Sequence, residues 1–142
     1  MGKRVLLPVD GEEHAQRAYE LARELFFGET YVLVHVINPA DASVSIDGTM
    51  PSFPEEWYEQ QKSHAERTFE EIEARAADDG IETERVVELG KPARKILETV
   101  ENEGIDHVVM TTHGRQGVSR ILLGSTAESV VRCSSVPVTI TR

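Results

Sequence analysis

Short unbroken apolar runs alternate along this chain with longer stretches in which apolar residues recur every third or fourth position. The runs are Arg4 to Val9, Tyr31 to Ile37, Val108 to Met110 and Val136 to Ile140. Runs of this length without alternation predict strands buried on both faces. A fifth segment, Glu82 to Leu89, alternates around Val86 and Val87 and is more charged, which predicts a strand nearer an edge. Between the runs, four sets of residues mark helices with one inward stripe. Ala15, Ala18, Leu21, Ala22, Leu25 and Phe26 form the first, with Gly28 as its stop. Asp10 and Glu13 make a capping box at its start. Ala65, Phe69, Ile72 and Ala76 lie on a second helix running from near Glu55 to Gly80. Ala93, Ile96, Leu97 and Val100 form the third, opened by Gly90-Lys91-Pro92 and closed by Gly104. Ala127, Val130 and Val131 form the fourth, beginning near Ser125. Strand and helix therefore alternate four times before a last strand, which predicts an α/β fold with right-handed crossovers and a parallel sheet covered on both faces. Residues 40–54 carry two prolines and a glycine among scattered apolar positions and are expected to form a long irregular crossing.

Composition narrows the class. A chain of 142 residues with 39% apolar content forms one domain, 1–142, with a real core. Its 25 acidic against 15 basic residues, only four of them Lys, give a net charge of −10. Such a surface repels nucleic acid and anionic membrane, so neither is expected as a partner. The same balance suits a high-salt interior, where screening removes self-repulsion. A single cysteine, Cys133, makes no internal disulfide, and the first apolar run is too short for a signal or a span. A cytoplasmic home is expected.

Candidate chemistry gathers where the fourth strand ends. Val108-Val109-Met110 leads into Thr111-Thr112-His113-Gly114-Arg115-Gln116-Gly117 and on to Gly124-Ser125-Thr126. Glycines there allow close backbone approach, and a helix beginning near Ser125 offers free N–H groups and the positive end of a dipole, the outline of a phosphate site. Equally, Ser125 caps the helix and Gly114 and Gly117 only turn the chain. Arg115 and Arg120 are candidates to neutralise phosphate, or else solvated loop arginines. In an open sheet of order 3-2-1-4-5 the switch point lies between the first and fourth strands, and ligands bind beyond their carboxyl ends. The loop Pro8-Val9-Asp10-Gly11 ends the first of these strands, so two polar, glycine-bearing loops meet at one crevice. Asp10 is a candidate to accept hydrogen bonds from a ribose or base, and Val36 to wall a base. His35 reads as a satisfied core histidine and His113 as a loop tether. His14, His64 and His107 lack metal-ligand spacing, and neither Ser125 nor Cys133 has a partner that makes a nucleophile.

These motifs together resemble the universal stress protein family. The resemblance is carried by Pro8-Val9-Asp10-Gly11, Val34-His35-Val36, Gly90-Lys91-Pro92-Ala93, the long segment from Thr112 to Glu128, and Val136-Pro137-Val138. It spans nearly the whole chain in order. It implies a single-domain, doubly wound, five-stranded parallel sheet of order 3-2-1-4-5 and a homodimer through the last strand, Val136 to Ile140. For the ATP-binding branch, with motif G-x2-G-x9-G-[ST], it implies that Gly114, Gly124, Ser125 and Thr126 hold phosphates while Asp10 and Val36 serve the adenine and ribose. Pro8, Val9, Thr111, Arg115 and Gly117 complete the candidate site. Thr111 stands where that motif has its first glycine, and Glu12 where serine usually follows Asp-Gly.

The function expected is a dimeric stress-response regulator that binds ATP or another adenine nucleotide, with Mg or Mn the candidate metal and no metal-holding residues named. A nucleotide-free interaction module and a slow ATP hydrolase are the alternatives. No catalytic residue is expected, and a protein client, if one exists, is unidentified.

Overall fold

The computed structural model describes residues 2–41, 55–112 and 124–142. In chain order these form β1 (Arg4–Pro8), α1 (Glu12–Leu25), β2 (Thr30–Ile37), a single 3-10 turn (Pro39–Asp41), α2 (Glu55–Asp78), β3 (Thr83–Leu89), α3 (Pro92–Asn102), β4 (His107–Thr111), α4 (Ser125–Cys133) and β5 (Val138–Thr141). All the strands are parallel, in the order β3-β2-β1-β4-β5. The doubly wound α/β sheet expected from the alternation is the one observed.

Successive strand residues point to opposite faces, and the continuous apolar runs feed a core on each. Val5, Leu7, Tyr31, Leu33 and Val109 meet Ala18, Tyr19, Phe69 and Ile72 beneath α1 and α2. Leu6, Val32, Val34, Val108 and Met110 meet Ile96, Val100, Ala127 and Val130 beneath α3 and α4. Each fully buried large side chain contributes about 1.5–3 kcal/mol of transfer free energy, so both faces hold the sheet. The charged strand, β3, lies at an edge as its alternation predicts; none of its residues is buried.

Polar contacts fix the remaining joints. The Tyr31 hydroxyl donates to the carbonyls of Ala22 and Phe26 at 2.9 and 3.0 Å, satisfying the end of α1. Burial, then the nearby Glu29 and Asp79 carboxylates, pushes that hydroxyl up to about 12. The Arg4 guanidinium donates to both carboxylate oxygens of Glu84, at 2.7 and 3.1 Å, reaching from β1 across β2 to β3. That hydrogen bond is the largest influence holding Glu84 below the usual carboxylate range.

Several local expectations are corrected. The N-cap of α1 is Gly11, at φ 85°, rather than the Asp10 of the expected capping box. A positive φ favours glycine, so the backbone rather than a carboxylate sets the entry angle. Ser125 is not a cap either, since Gly124 occupies that position. Leu25 and Val131, placed on inward stripes by spacing, are 51% and 44% exposed. Phe26 follows α1 as its C-cap, so the helix stops before Gly28. The last strand begins at Val138 rather than Val136. Ser134 Oγ accepts from Val136 N–H and donates to Val136 O, folding that end into a turn.

Candidate functional site

The sheet splits where a ligand would enter. β1 and β4 pair only at Val5 with His107 and Leu6 with Val108. Beyond those residues each strand follows its outer neighbour. β1 continues along β2 to Pro8 opposite Val34, and Val9 N–H donates to Val34 O at 2.8 Å. β4 continues along β5 to Thr111 opposite Thr141, and Thr112 N–H donates to Thr141 O at 2.8 Å. The gap is the switch-point crevice of a doubly wound sheet.

A recess of about 100 Å³ occupies it on the α3/α4 face. Val9, Val34, Val36, Ile96 and Met110 make its apolar wall, while Asp10, Asp41, Thr111 and Thr126 supply polar groups. Pro8 and Pro92 complete the lining. Thr111 is the final residue of β4 and 8% exposed. Val36 is half-buried and packs on the adjoining core. β2 and α3 bring only apolar side chains to the recess, Val34, Val36, Pro92 and Ile96, whereas the hydroxyls come from Thr111 of β4 and Thr126 of α4.

Helix starts converge on the same place. Pro92 opens α3 at a position that tolerates a missing N–H. Gly124, at φ −60° and ψ 159°, opens α4, and its carbonyl accepts Glu128 N–H at 2.9 Å. The N–H groups of the first α4 turn, Ser125 and Thr126 among them, have no acceptor within the helix. Asp41 is set by a turn on Asn38, whose Oδ1 accepts Ala40 N–H at 3.1 Å and whose carbonyl accepts Asp41 N–H at 2.9 Å. On the opposite face His35 Nδ1 lies 2.9 Å from Val9 O, which ties β2 to the residue before Asp10. A core histidine satisfied by backbone was the expectation for it.

Six of the residues named from the sequence, Pro8, Val9, Asp10, Val36, Thr111 and Thr126, are thus brought to one recess. Gly124 and Ser125 start the helix to which Thr126 belongs. Gly114, Arg115 and Gly117 lie outside the described residues, as do His113, Arg120 and 42–54. Val34, Asp41, Pro92, Ile96 and Met110, which also line the recess, were not among the expected site residues. Their common signal is position, at the carboxyl ends of strands or the amino ends of returning helices. Among the described residues the charged side chains lining the recess are both acidic, and no group of three His, Cys, Asp or Glu is placed to hold a metal. Also among them, no helix is long and apolar enough to cross a membrane.

Comparison with known proteins agrees in sequence and in fold. A family model described as the universal stress protein family matches residues 1–142. Universal stress protein MJ0577 of Methanocaldococcus jannaschii is 26% identical over 155 residues, covering 100% of this chain and 96% of its own length. The solved structure of MJ0577 superposes with a TM-score of 0.82 at 29% identity, covering 99% of this chain and 96% of that one. A universal stress protein from Thermus aquaticus is 32% identical over 145 residues, with both chains fully covered. A family protein from Arabidopsis thaliana, solved with AMP bound, shares the fold at a TM-score of 0.71 and 18% identity, with 98% of this chain and 90% of that chain covered.

Proposed function

The chain belongs to the universal stress protein family, and from that premise we propose that it is a homodimeric regulator of the stress response that binds an adenine nucleotide in the split between β1 and β4. The observation that carries this reading is the split itself. It opens an apolar-walled recess beside the amino end of α4. A base is served by Val9, Val34, Val36 and Ile96, and ribose hydroxyls by Asp10, with Thr111 narrowing the mouth on that side. The α4 N–H groups and the Ser125 and Thr126 hydroxyls would receive phosphate oxygens. At about 100 Å³ the recess is well below the roughly 300–1,000 Å³ of a whole ligand pocket. It therefore takes one end of a nucleotide while the phosphates lie toward α4. The AMP bound to the Arabidopsis thaliana protein supports this ligand class. A divalent metal, Mg or Mn, would travel with the phosphates and offset their charge against an acidic protein.

The dimer reading rests on the two sheet edges. β3 carries Glu84, Arg85 and Glu88, the charges that discourage strand pairing, whereas β5 is Val-Thr-Ile-Thr. Pro137 and Thr141 give their carbonyls to β4, so by strand periodicity Val138 and Ile140 turn their backbone groups to the open edge. A second copy of β5 would satisfy them.

Titrating ATP with Mg²⁺ into the purified protein should give saturable heat at one site per chain. No heat in dilute buffer or molar salt, together with no adenine nucleotide released on acid denaturation, would sink the reading. Turnover of ATP abolished by Asp10→Ala with binding intact would instead make the protein a hydrolase.

A further inference from the structure

We propose that a second cleft, between α2 and the carboxyl ends of β1 and β2, binds the free zwitterion of a very short peptide, with its ammonium at Glu59 and its carboxylate at Arg67. The cleft has a volume of about 750 Å³. Asp10 and His35 line it from the strands, and Glu59, Gln60, Ser63, His64 and Arg67 line it from α2. His35 alternates with Tyr31 and Leu33, which face α1 and α2, so the cleft opens on the face of the sheet opposite the nucleotide recess. The proposal is therefore independent of the nucleotide reading.

The stripe on α2 sets the charge pattern. Positions 59, 60, 63, 64 and 67 recur at helical spacing, and Glu59 and Arg67 stand roughly 12 Å apart along the axis. Gln60, Ser63 and His64 lie between them, side chains that pair with a peptide group. Arg67 has Glu70 and Glu71 three and four residues on, the spacing of helix ion pairs. Among the described residues it takes neither; its Nη2 lies 3.4 Å from His64 Nδ1, one turn back along the stripe. That reach brings the gap between the two charges toward the roughly 7 Å that two extended residues span. Single charges are disfavoured here, because Asp10 and Glu59 repel a simple anion and Arg67 a simple cation, whereas a zwitterion offsets both. His35 adds an acceptor. Its Nδ1 lies 2.9 Å from Val9 O, which only accepts, so the neutral ring carries its proton there and keeps Nε2 for a ligand N–H.

Amide NMR titrations of the full chain at low ionic strength, where exposed charges are least screened, test this with glycylglycine, glycine, N-acetylglycine and glycinamide. Wild type, Glu59→Gln and Arg67→Gln are compared, with thermal unfolding to confirm that each variant folds. Glycylglycine should give saturating shifts at His35, Ser63, His64 and Arg67. Glycine, whose charges are adjacent, and the two singly charged probes should each bind wild type about threefold or more weakly. Glu59 and Arg67 are exposed, so each substitution should weaken glycylglycine binding by roughly three- to fivefold. No saturation by glycylglycine, saturating shifts centred elsewhere, or an affinity unchanged in both variants would overturn the proposal. N-acetylglycine or glycinamide binding as tightly as glycylglycine would make the cleft a single-charge site and overturn it as well, and so would equal binding of glycine. Since no probe is a nucleotide, each of these outcomes leaves the reading of the β1/β4 split standing.

Discussion

Replacing Thr111 by glycine should make the protein less stable and a better nucleotide binder. Thr111 ends β4, pairs with Thr141 and is 8% exposed while lining the recess. Removing its side chain loses about 0.8 kcal/mol for a buried methyl. Glycine in a strand costs a further 0.5–1 kcal/mol, roughly, in backbone entropy. The expected destabilisation is about 1.3–1.8 kcal/mol, read as a lower denaturation midpoint with an unchanged slope in urea. The same deletion widens the recess at the ribose side, where the β-branched side chain narrows the mouth. Affinity for ATP should therefore rise, by roughly three- to tenfold. Urea unfolding and calorimetric titration on one preparation measure both quantities. Opposite signs are the signature of crowding by Thr111. If affinity falls along with stability, Thr111 supports the ligand instead of crowding it, and the reasoning fails.

Tyr31→Phe should cost about 0.5–1.5 kcal/mol, because the Ala22 and Phe26 carbonyls at the end of α1 lose their shared hydroxyl donor while keeping the N–H groups of Phe26 and Glu29; an unchanged urea midpoint would show that water replaces the hydroxyl. His107 is held below its ordinary value of 6.5, first by burial and then by Lys3, so the unfolded chain takes up that proton before the folded one does. Its contribution is intact above 6.5 and lost as pH falls from there toward the lowered folded value. His107→Gln, which keeps a partner for Thr139 Oγ1, should therefore show a shallower stability loss from about pH 7 to about pH 5 than wild type; equal slopes would contradict this. Ile140→Pro removes an N–H that faces the open edge and should turn a dimer into a monomer in sedimentation while β4 pairing persists; a persistent dimer would move the interface elsewhere. With a net charge of −10, the unfolding midpoint should rise as KCl is added, and equal midpoints in dilute and molar salt would remove the high-salt reading.

Fold order was legible because each core strand must be apolar on both faces, and Val5-Leu6-Leu7 or Tyr31-Val32-Leu33-Val34 declares this without a partner in view. Helix spacing reported a stripe but not where each helix ends, and Leu25, the last residue of α1, and Val131, in the last turn of α4, were expected inside and stand exposed. Capping was misread for a different reason. Asp10 has the right side chain, yet the backbone at Gly11 takes a conformation that places the helix start one residue later. At the site, the residues at the ends of β1 and β4 were found by their motifs. Asp41 and Ile96 carry no motif, and they reach the recess only because β2 and α3 converge on it from distant parts of the chain.

The central claim is that an adenine nucleotide sits in the split between β1 and β4, and backbone NMR of the labelled protein titrated with ATP and Mg²⁺ tests it most directly. Saturating shifts should gather at Asp10, Val36, Asp41, Met110, Thr111 and Thr126, while Arg4, Asp106 and His107 at the opposite end of the same sheet stay still. Saturating shifts at that opposite end, or none anywhere, would contradict it.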